Sequence, residues 1–97
     1  MDFQRMKTFE AVASLMSFNR AAQILCCTQS TVSAQIKALE EELGARVFER
    51  LGRHISLTPA GEELLRQTRR FLSYEQSLRA AVLKKGETAG LLSLRAP

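Results

Sequence analysis

Residues 29–37 contain several polar side chains whose types and spacing would allow them to hydrogen-bond nucleic-acid bases. If these residues are helical, at about 100° per residue they share one face opposite an apolar stripe, with Gln29 at its edge. The amide of Gln29 can bond both groups of an adenine edge, whereas Ser33 can bond a base or a phosphate and Lys37 can neutralise a phosphate. The sequence therefore predicts a face that reads a DNA major groove; the alternative is an ordinary solvated helix face. Its predicted contact residues are Gln29, Ser30, Thr31, Ser33, Ala34 and Lys37.

The helix that would carry this face has clear start and stop signals. Thr28 is a suitable N-cap, and Gly44 supplies the left-handed residue that commonly ends a helix. Between them, apolar residues recur in steps of four, three and four, which predicts one buried stripe. That stripe consists of Val32, Ile36, Leu39 and Leu43.

Two helices are predicted before this one. In the first, the inward positions at three- and four-residue steps are Phe3, Met6, Phe9, Ala13 and Met16. Ser17 can cap a second, shorter helix. Its inward residues are Phe18, Ala21, Ala22 and Leu25. A tight connection at residues 26–28 then joins the second helix to the third, so the pair forms a helix-turn-helix.

A short hairpin is predicted after Gly44, where the apolar periodicity changes. Residues 48–50 and 55–57 are typical of strands around a turn at residues 51–54, which makes this segment a candidate wing. Arg50, Arg53 and His54 are its candidate DNA contacts. The alternatives are that both arginines are ordinary surface residues, that Arg50 pairs with an acidic neighbour, and that His54 is merely solvated.

A long last helix is predicted from Pro59 to about residue 87. Thr58 followed by Pro59 is a strong helix start, and at roughly 1.5 Å per residue the helix would be about 40 Å long. Leu64, Thr68, Phe71, Glu75, Leu78 and Val82 repeat in alternating steps of four and three, the pattern of a helix that packs on another helix. The alternative is packing within the same chain, but the length favours a second subunit. The predicted dimerisation residues are Leu64, Leu65, Thr68, Phe71, Leu72, Leu78 and Val82.

Bulk composition excludes several function classes. The chain has 97 residues, 45% of them hydrophobic, which suits one small domain with little room for an ordinary catalytic cleft. Its net charge of +4 favours polyanionic partners. No apolar run approaches the about twenty residues of a membrane span, and the N-terminus lacks a secretory signal, so a cytoplasmic protein is expected. No glycine-rich phosphate loop or metal cluster is present, and His54 has no evident catalytic partner, so neither catalytic residues nor a metal site is predicted.

The only two cysteines, Cys26 and Cys27, are adjacent. An ordinary disulfide between neighbours is strained, and two thiols are too few for a closed zinc site. A redox sensor is one interpretation of vicinal thiols. The favoured interpretation is that both are small buried hydrophobic residues.

Taken in order, these residues resemble the LysR-type transcriptional regulators along essentially the whole chain. The similarity is carried by Ser17-Phe18, Ala21-Ala22, Leu25, Gln29, Ser33, Gln35-Ile36, Ala38-Leu39-Glu40, Leu43-Gly44, Phe48-Glu49-Arg50, Leu57-Thr58 and Ala60-Gly61. The resemblance implies a mostly α-helical fold: a winged helix-turn-helix of three helices and a short β-hairpin wing, followed by a long dimerisation helix. The implied domains are the winged helix-turn-helix at 1–58, the linker helix at 59–89 and the start of a missing effector-binding domain at 90–97.

The resemblance also implies partners. A homodimer paired through its linker helices would bind an operator with inverted half-sites, placing two reading helices in successive major grooves and wings on the flanking minor grooves. Tetramers occur in full-length members, and a small-molecule effector is expected for the missing domain, with no cofactor in this chain. Gln29 and Ser33 would touch bases, and Arg53 would enter the minor groove. This chain departs from the family pattern at two of these positions: Ser30 stands where proline is frequent, and Ala34 where arginine or another polar residue is frequent. The alternative function is a winged-helix module that docks protein partners without binding DNA and uses its long helix only as a coiled coil.

Overall fold

The computed structural model describes residues 1–88, which form four helices and one two-stranded antiparallel sheet. In chain order the elements are α1 (Phe3–Leu15), α2 (Phe18–Ile24), α3 (Gln29–Leu43), β1 (Phe48–Leu51), β2 (His54–Leu57) and α4 (Pro59–Thr88). The mostly helical fold with a short hairpin wing and a long last helix is therefore confirmed. The start of another domain, predicted at 90–97, lies outside the described residues. Within the described part of the chain, no helix is both long and apolar enough to cross a membrane.

The helix ends follow the capping chemistry expected from the sequence. The Ser17 hydroxyl accepts a hydrogen bond from the Arg20 backbone N–H at 3.0 Å and so caps α2. Thr28 does the same for α3, where its hydroxyl accepts from the Thr31 N–H at 3.1 Å. Gly44 ends α3 in the left-handed conformation, with a φ of 69°. These caps fix where the helix-turn-helix begins and ends.

The core lies where α1, α2 and α3 meet the hairpin. Phe9, Phe18 and Phe48 form its aromatic centre, with ring centroids 5.4 Å apart for Phe9 and Phe48 and 5.7 Å apart for Phe18 and Phe48. The remaining buried hydrophobic residues are Val12, Ala13, Ala21, Ala22, Val32, Ile36, Leu39 and Val47. The stripe predicted for α3 is thus buried over three of its four positions, which holds the opposite face outward.

Three residues predicted to point inward are instead exposed. Phe3 and Met16 keep 38% and 40% of their surface, and Leu43 keeps 42%. Phe3 and Leu43 lie in terminal turns, and Met16 follows the end of α1 with a left-handed φ of 50°. The prediction of burial from apolar periodicity was therefore wrong at the helix ends, because the core does not extend to cover them.

The wing is tied to the start of α4 at a close backbone approach. Thr58 donates its backbone N–H to the Val47 carbonyl at 3.1 Å and its hydroxyl to the Arg46 carbonyl at 2.5 Å. The same hydroxyl accepts from the Gly61 N–H at 3.0 Å, which caps α4. Gly61 has no room for a side chain, because a Cβ there would lie on the Val47 carbonyl oxygen and 2.9 Å from Leu57 Cδ2.

The long helix α4 has two different parts. In its first turns Leu64 and Leu65 pack against the core of their own domain, and Thr68 is 1% exposed. Farther along, Leu78 and Val82 are 52% and 61% exposed. The predicted dimer residues therefore fall into two groups, because Thr68 is covered by its own chain whereas Leu78 and Val82 remain exposed. The helix runs from Pro59 to Thr88, close to its predicted end at about residue 87, and at about 1.5 Å per residue it is about 45 Å long.

Candidate nucleic-acid interface

The polar face of α3 is free of the rest of the chain. Gln29, Ser30, Thr31, Ala34 and Lys37 are exposed, and Ser33 is half-buried. The face opposite them packs on the core through fully buried Val32 and Leu39. A partner that contacts this face therefore meets mostly polar side chains on a helix whose opposite side is packed in the core.

The predicted contact residues do not all point in the same direction. Measured at about 100° per residue from the buried stripe, Ser30 and Ala34 point most directly away from the core. Ser33 lies at the side and lines a groove between α3 and β1. Ala34 is thus at the outermost line of the helix, where the only group it offers is a methyl.

The groove beside Ser33 is formed by α3, the start of α2 and the first half of the wing. Its lining residues are Phe18, Ser33, Ile36, Lys37, Glu40, Arg46, Phe48 and Arg50. The Arg50 guanidinium lies over the Phe18 ring, 4.7 Å from its centroid, a cation–π geometry. Arg50 is held by an aromatic face and not by the acidic neighbour considered from the sequence.

The basic side chains around this groove lack acidic partners. In residues 1–88, no carboxylate forms a salt bridge with Lys37, Arg46 or Arg50, nor with Arg53 at the wing turn. Other arginines are paired in this part of the chain, as with Arg69 and Glu10 at 3.5 Å. Unpaired cations beside a free helix face favour an anionic partner.

Arg46 is a candidate contact that sequence reasoning missed. It lies in the connection between α3 and β1 and lines the groove with Lys37 and Arg50. Its position two residues after Gly44, between α3 and the wing, was the available signal in the sequence. Only the folded hairpin brings it beside Lys37.

The one carboxylate in this groove serves the backbone. Glu40 Oε2 accepts the backbone N–H groups of Val47 at 2.9 Å and Phe48 at 3.4 Å. Glu40 is the first of three consecutive glutamates, and such a run ordinarily faces solvent. In the structure it joins α3 to β1, so it sets the position of the wing relative to the reading helix.

The tip of the wing is a two-residue turn. Leu51 pairs with His54 across the hairpin, which leaves Gly52 and Arg53 in the turn. Gly52 has a φ of 64°, a conformation that glycine adopts without steric cost. Arg53 and His54 are both exposed but do not line the groove of Ser33. Two of the three predicted wing contacts, Arg53 and His54, therefore lie at the projecting end of the hairpin, and what they touch stays a prediction.

Both cysteines are exposed and free, so the expectation that they are buried was wrong. They occupy the connection between α2 and α3, where Cys26 has a left-handed φ of 58°. Within residues 1–88, no three His, Cys, Asp or Glu side chains come together as a potential metal site.

Comparison with known proteins identifies a family of regulators. Residues 3–62 match the model of the lysR family of bacterial regulatory helix-turn-helix proteins. The HTH-type transcriptional regulator YfiE of Escherichia coli strain K12 is 40% identical over 92 residues, which cover 95% of this chain and 31% of YfiE. The chain thus spans about a third of the length of that relative.

Solved structures give the same fold. The BenM DNA-binding domain in complex with benA site 1 DNA has a TM-score of 0.85 at 32% identity, over 89% of this chain and 97% of that chain. The CbnR DNA-binding domain in complex with DNA has a TM-score of 0.77 at 35% identity, over 91% of this chain and 99% of that chain. With the family model matching well over half of the residues, the chain belongs to the lysR family of bacterial regulatory helix-turn-helix proteins, and the resemblance in its sequence is confirmed.

Proposed function

We propose that this chain binds double-stranded DNA sequence-specifically, with α3 in the major groove and the wing against the minor groove. The observation that carries the proposal is the outward face of α3, which is polar and uncovered and lies beside a groove lined by Lys37, Arg46 and Arg50. Within residues 1–88 none of these three cations forms a salt bridge. A B-DNA major groove about 12 Å wide admits one such helix. The solved complexes of BenM and CbnR domains with DNA support the proposal by analogy.

Affinity and sequence preference come from different groups. Lys37, Arg46 and Arg50 can neutralise phosphates, and the positive N-terminal end of α3 favours another phosphate. These contacts are independent of sequence. Preference for one site would come from Gln29, Ser33 and neighbouring side chains on base edges.

The proposed DNA-bound form is a homodimer paired through α4. The large apolar residues exposed on this helix are Phe71, Tyr74, Leu78, Val82 and Leu83. Phe71, Leu78 and Val82 fall on one stripe, at about 100° per residue, and a twofold pair of such helices would bury it. Two reading helices would then meet inverted half-sites. Of the residues predicted to contact a partner, this proposal keeps Phe71, Leu78 and Val82. Leu72 is half-buried and lies about 100° from Phe71 around the helix, so it is not part of this stripe.

Selection of bound duplexes from a random pool tests this function. We expect enrichment of inverted half-sites about 10–10.5 base pairs apart or a multiple of it, and tighter binding of the enriched duplex than of a scrambled one in fluorescence anisotropy. Negligible binding of any duplex at low salt would contradict the proposal and favour a winged helix that docks only proteins.

Gln29→Ala tests direct base reading. We expect a loss of about 1 to 3 kcal/mol on the selected duplex and a relaxed preference at one base pair, because the amide bonds are lost at a single base. Anisotropy titrations on the selected and scrambled duplexes measure both effects. Gln4→Ala, at an exposed position of α1, is the matched control. An equal loss on both duplexes would refute a base-reading role.

Lys37→Gln tests a phosphate contact. Binding should weaken by a similar factor on every duplex, and the slope of log affinity against log salt should fall by about one unit, because one fewer counterion is released. Lys85→Gln, in the last turn of α4, serves as the control and should leave the slope unchanged. A slope equal to that of the unaltered chain would remove Lys37 from the interface.

Ala34 offers a methyl where a thymine methyl can meet it. We expect that replacing one particular thymine by uracil in one of the two half-sites weakens binding by about 0.8 kcal/mol, the value of one buried methyl-sized group. With Ala34→Gly the same replacement should have no further effect, so the two changes should not add. If uracil weakens both proteins equally, Ala34 does not contact that base.

A further inference from the structure

The connection between α2 and α3 presents two thiols to solvent at adjacent positions. Cys26 and Cys27 are both free and exposed, although cysteine is among the residues most often buried. Their backbone is held in place, because the Cys26 N–H donates to the Gln23 carbonyl at 3.2 Å and the Cys27 N–H to the Ala22 carbonyl at 3.0 Å. The core does not use these side chains, so packing does not explain them.

The chemistry open to this pair is narrow. Adjacent Cα atoms are about 3.8 Å apart, below the roughly 4.4 Å at which ordinary disulfides begin, so direct oxidation to a disulfide is disfavoured. A structural zinc ion takes four ligands, and residues 1–88 hold no group of three potential ligands. A thiophilic atom that needs only two sulfur ligands avoids both limits, because it bridges the sulfurs without bonding them to each other. An organic trivalent arsenical has this requirement.

We propose that Cys26 and Cys27 form a dithiol site for trivalent arsenicals, and that its occupation blocks DNA binding. An arylarsenous acid carries two hydroxyl groups on arsenic. Two As–S bonds form as two As–O bonds break, and the two thiol protons leave with the hydroxyls as two waters. The oxidation state of arsenic does not change, so no oxidant or reductant is required.

The position of the site links it to the reading helix. Cys27 directly precedes Thr28, whose hydroxyl caps α3, and Gln29 begins that helix. An arylarsenic group at residues 26–27 would therefore stand beside the helix end that enters the groove. This second half of the proposal rests on the proposed function, whereas the dithiol site does not.

Phenylarsine oxide and intact-mass spectrometry test the site on the reduced 97-residue chain. We expect one phenylarsenic group per chain, with two hydrogens lost, in an adduct that survives excess 2-mercaptoethanol and is released by dithiothreitol. Cys26→Ser and Cys27→Ser can each bind arsenic through one sulfur only, so 2-mercaptoethanol should strip their adducts. No adduct, or an adduct on the unaltered chain as labile as those of the single variants, would overturn the site.

Anisotropy on the selected duplex tests the consequence. The adduct should bind DNA at least about tenfold more weakly, the equivalent of one lost base contact. The double serine variant should bind normally with or without the reagent, and circular dichroism should show that the adduct keeps its helix. A stable adduct with unchanged DNA affinity, or one that unfolds the chain, would overturn the block. If the untreated chain binds no duplex, the proposed function fails while the mass measurement still decides the dithiol site.

Discussion

Gly61→Ala should lower the free energy of unfolding by about 3 kcal/mol, near the upper end of overpacking effects. The added Cβ would fall on the Val47 carbonyl oxygen and 2.9 Å from Leu57 Cδ2. The Val47 carbonyl cannot yield easily, because it accepts the backbone N–H of Thr58 where the wing joins α4. Separation of these segments would also disturb the hydroxyl of Thr58, which bridges Arg46 and Gly61.

The sign of this effect distinguishes steric overlap from helix propensity. Alanine is favoured over glycine in a helix by about 1 kcal/mol, so propensity alone predicts that Gly61→Ala stabilises the chain. Urea unfolding followed by circular dichroism measures the change. Ala60→Gly, at the exposed neighbouring position, is the control and should cost no more than about 1 kcal/mol. Unchanged or increased stability of Gly61→Ala would show that α4 does not approach the wing this closely.

Leu78→Glu should abolish the dimer and weaken binding to a duplex with both half-sites by about 10²- to 10⁴-fold. Leu78 is 52% exposed on the apolar stripe of α4, between Phe71 at 47% and Val82 at 61%. A carboxylate there would be desolvated without a partner in the dimer, whereas in the monomer it stays in water. The loss on DNA follows because linked half-site contacts become two separate binding events.

Sedimentation equilibrium and anisotropy measure the two effects of Leu78→Glu separately. Affinity for a duplex with one half-site should not change, since the monomer retains α3. Ser73→Glu is the matched control, because Ser73 is exposed about 140° from Leu78 around the helix. A variant that remains dimeric would place the subunit contact elsewhere, and a monomer that keeps full affinity for the paired half-sites would remove dimerisation from the DNA-binding account.

The elements that the sequence predicted well are those set by local interactions. Thr28 starts α3 by accepting a hydrogen bond from the backbone N–H of Thr31, and Gly44 ends α3 by adopting the left-handed conformation. Both interactions lie within a few residues of the helix end. The apolar stripe of α3 orients the helix because burial follows its periodicity. Since the reading face lies opposite that stripe, its exposure follows from the same pattern.

The features that were missed depend on tertiary packing. Periodicity assigns Thr68 and Leu78 to one stripe of α4, but only the docked structure shows that Thr68 is covered within the protomer. Glu40 begins a run of three glutamates that by itself indicates a solvated face, yet the hairpin brings two backbone N–H groups to its carboxylate. Likewise, Arg46 joins the groove only because β1 turns back beside α3. The spacing of residues in the sequence does not predict these tertiary contacts.

Chemical-shift mapping of the ¹⁵N-labelled chain with its selected duplex tests most directly whether the exposed side of α3 meets DNA. We expect the largest changes at the amides of Gln29, Ser30, Ser33, Ala34 and Lys37, with smaller changes at the wing turn. Amides at the exposed far end of α4 should change little when DNA joins a preformed dimer. Changes confined to α4, with those of α3 unaffected by saturating DNA, would contradict the account.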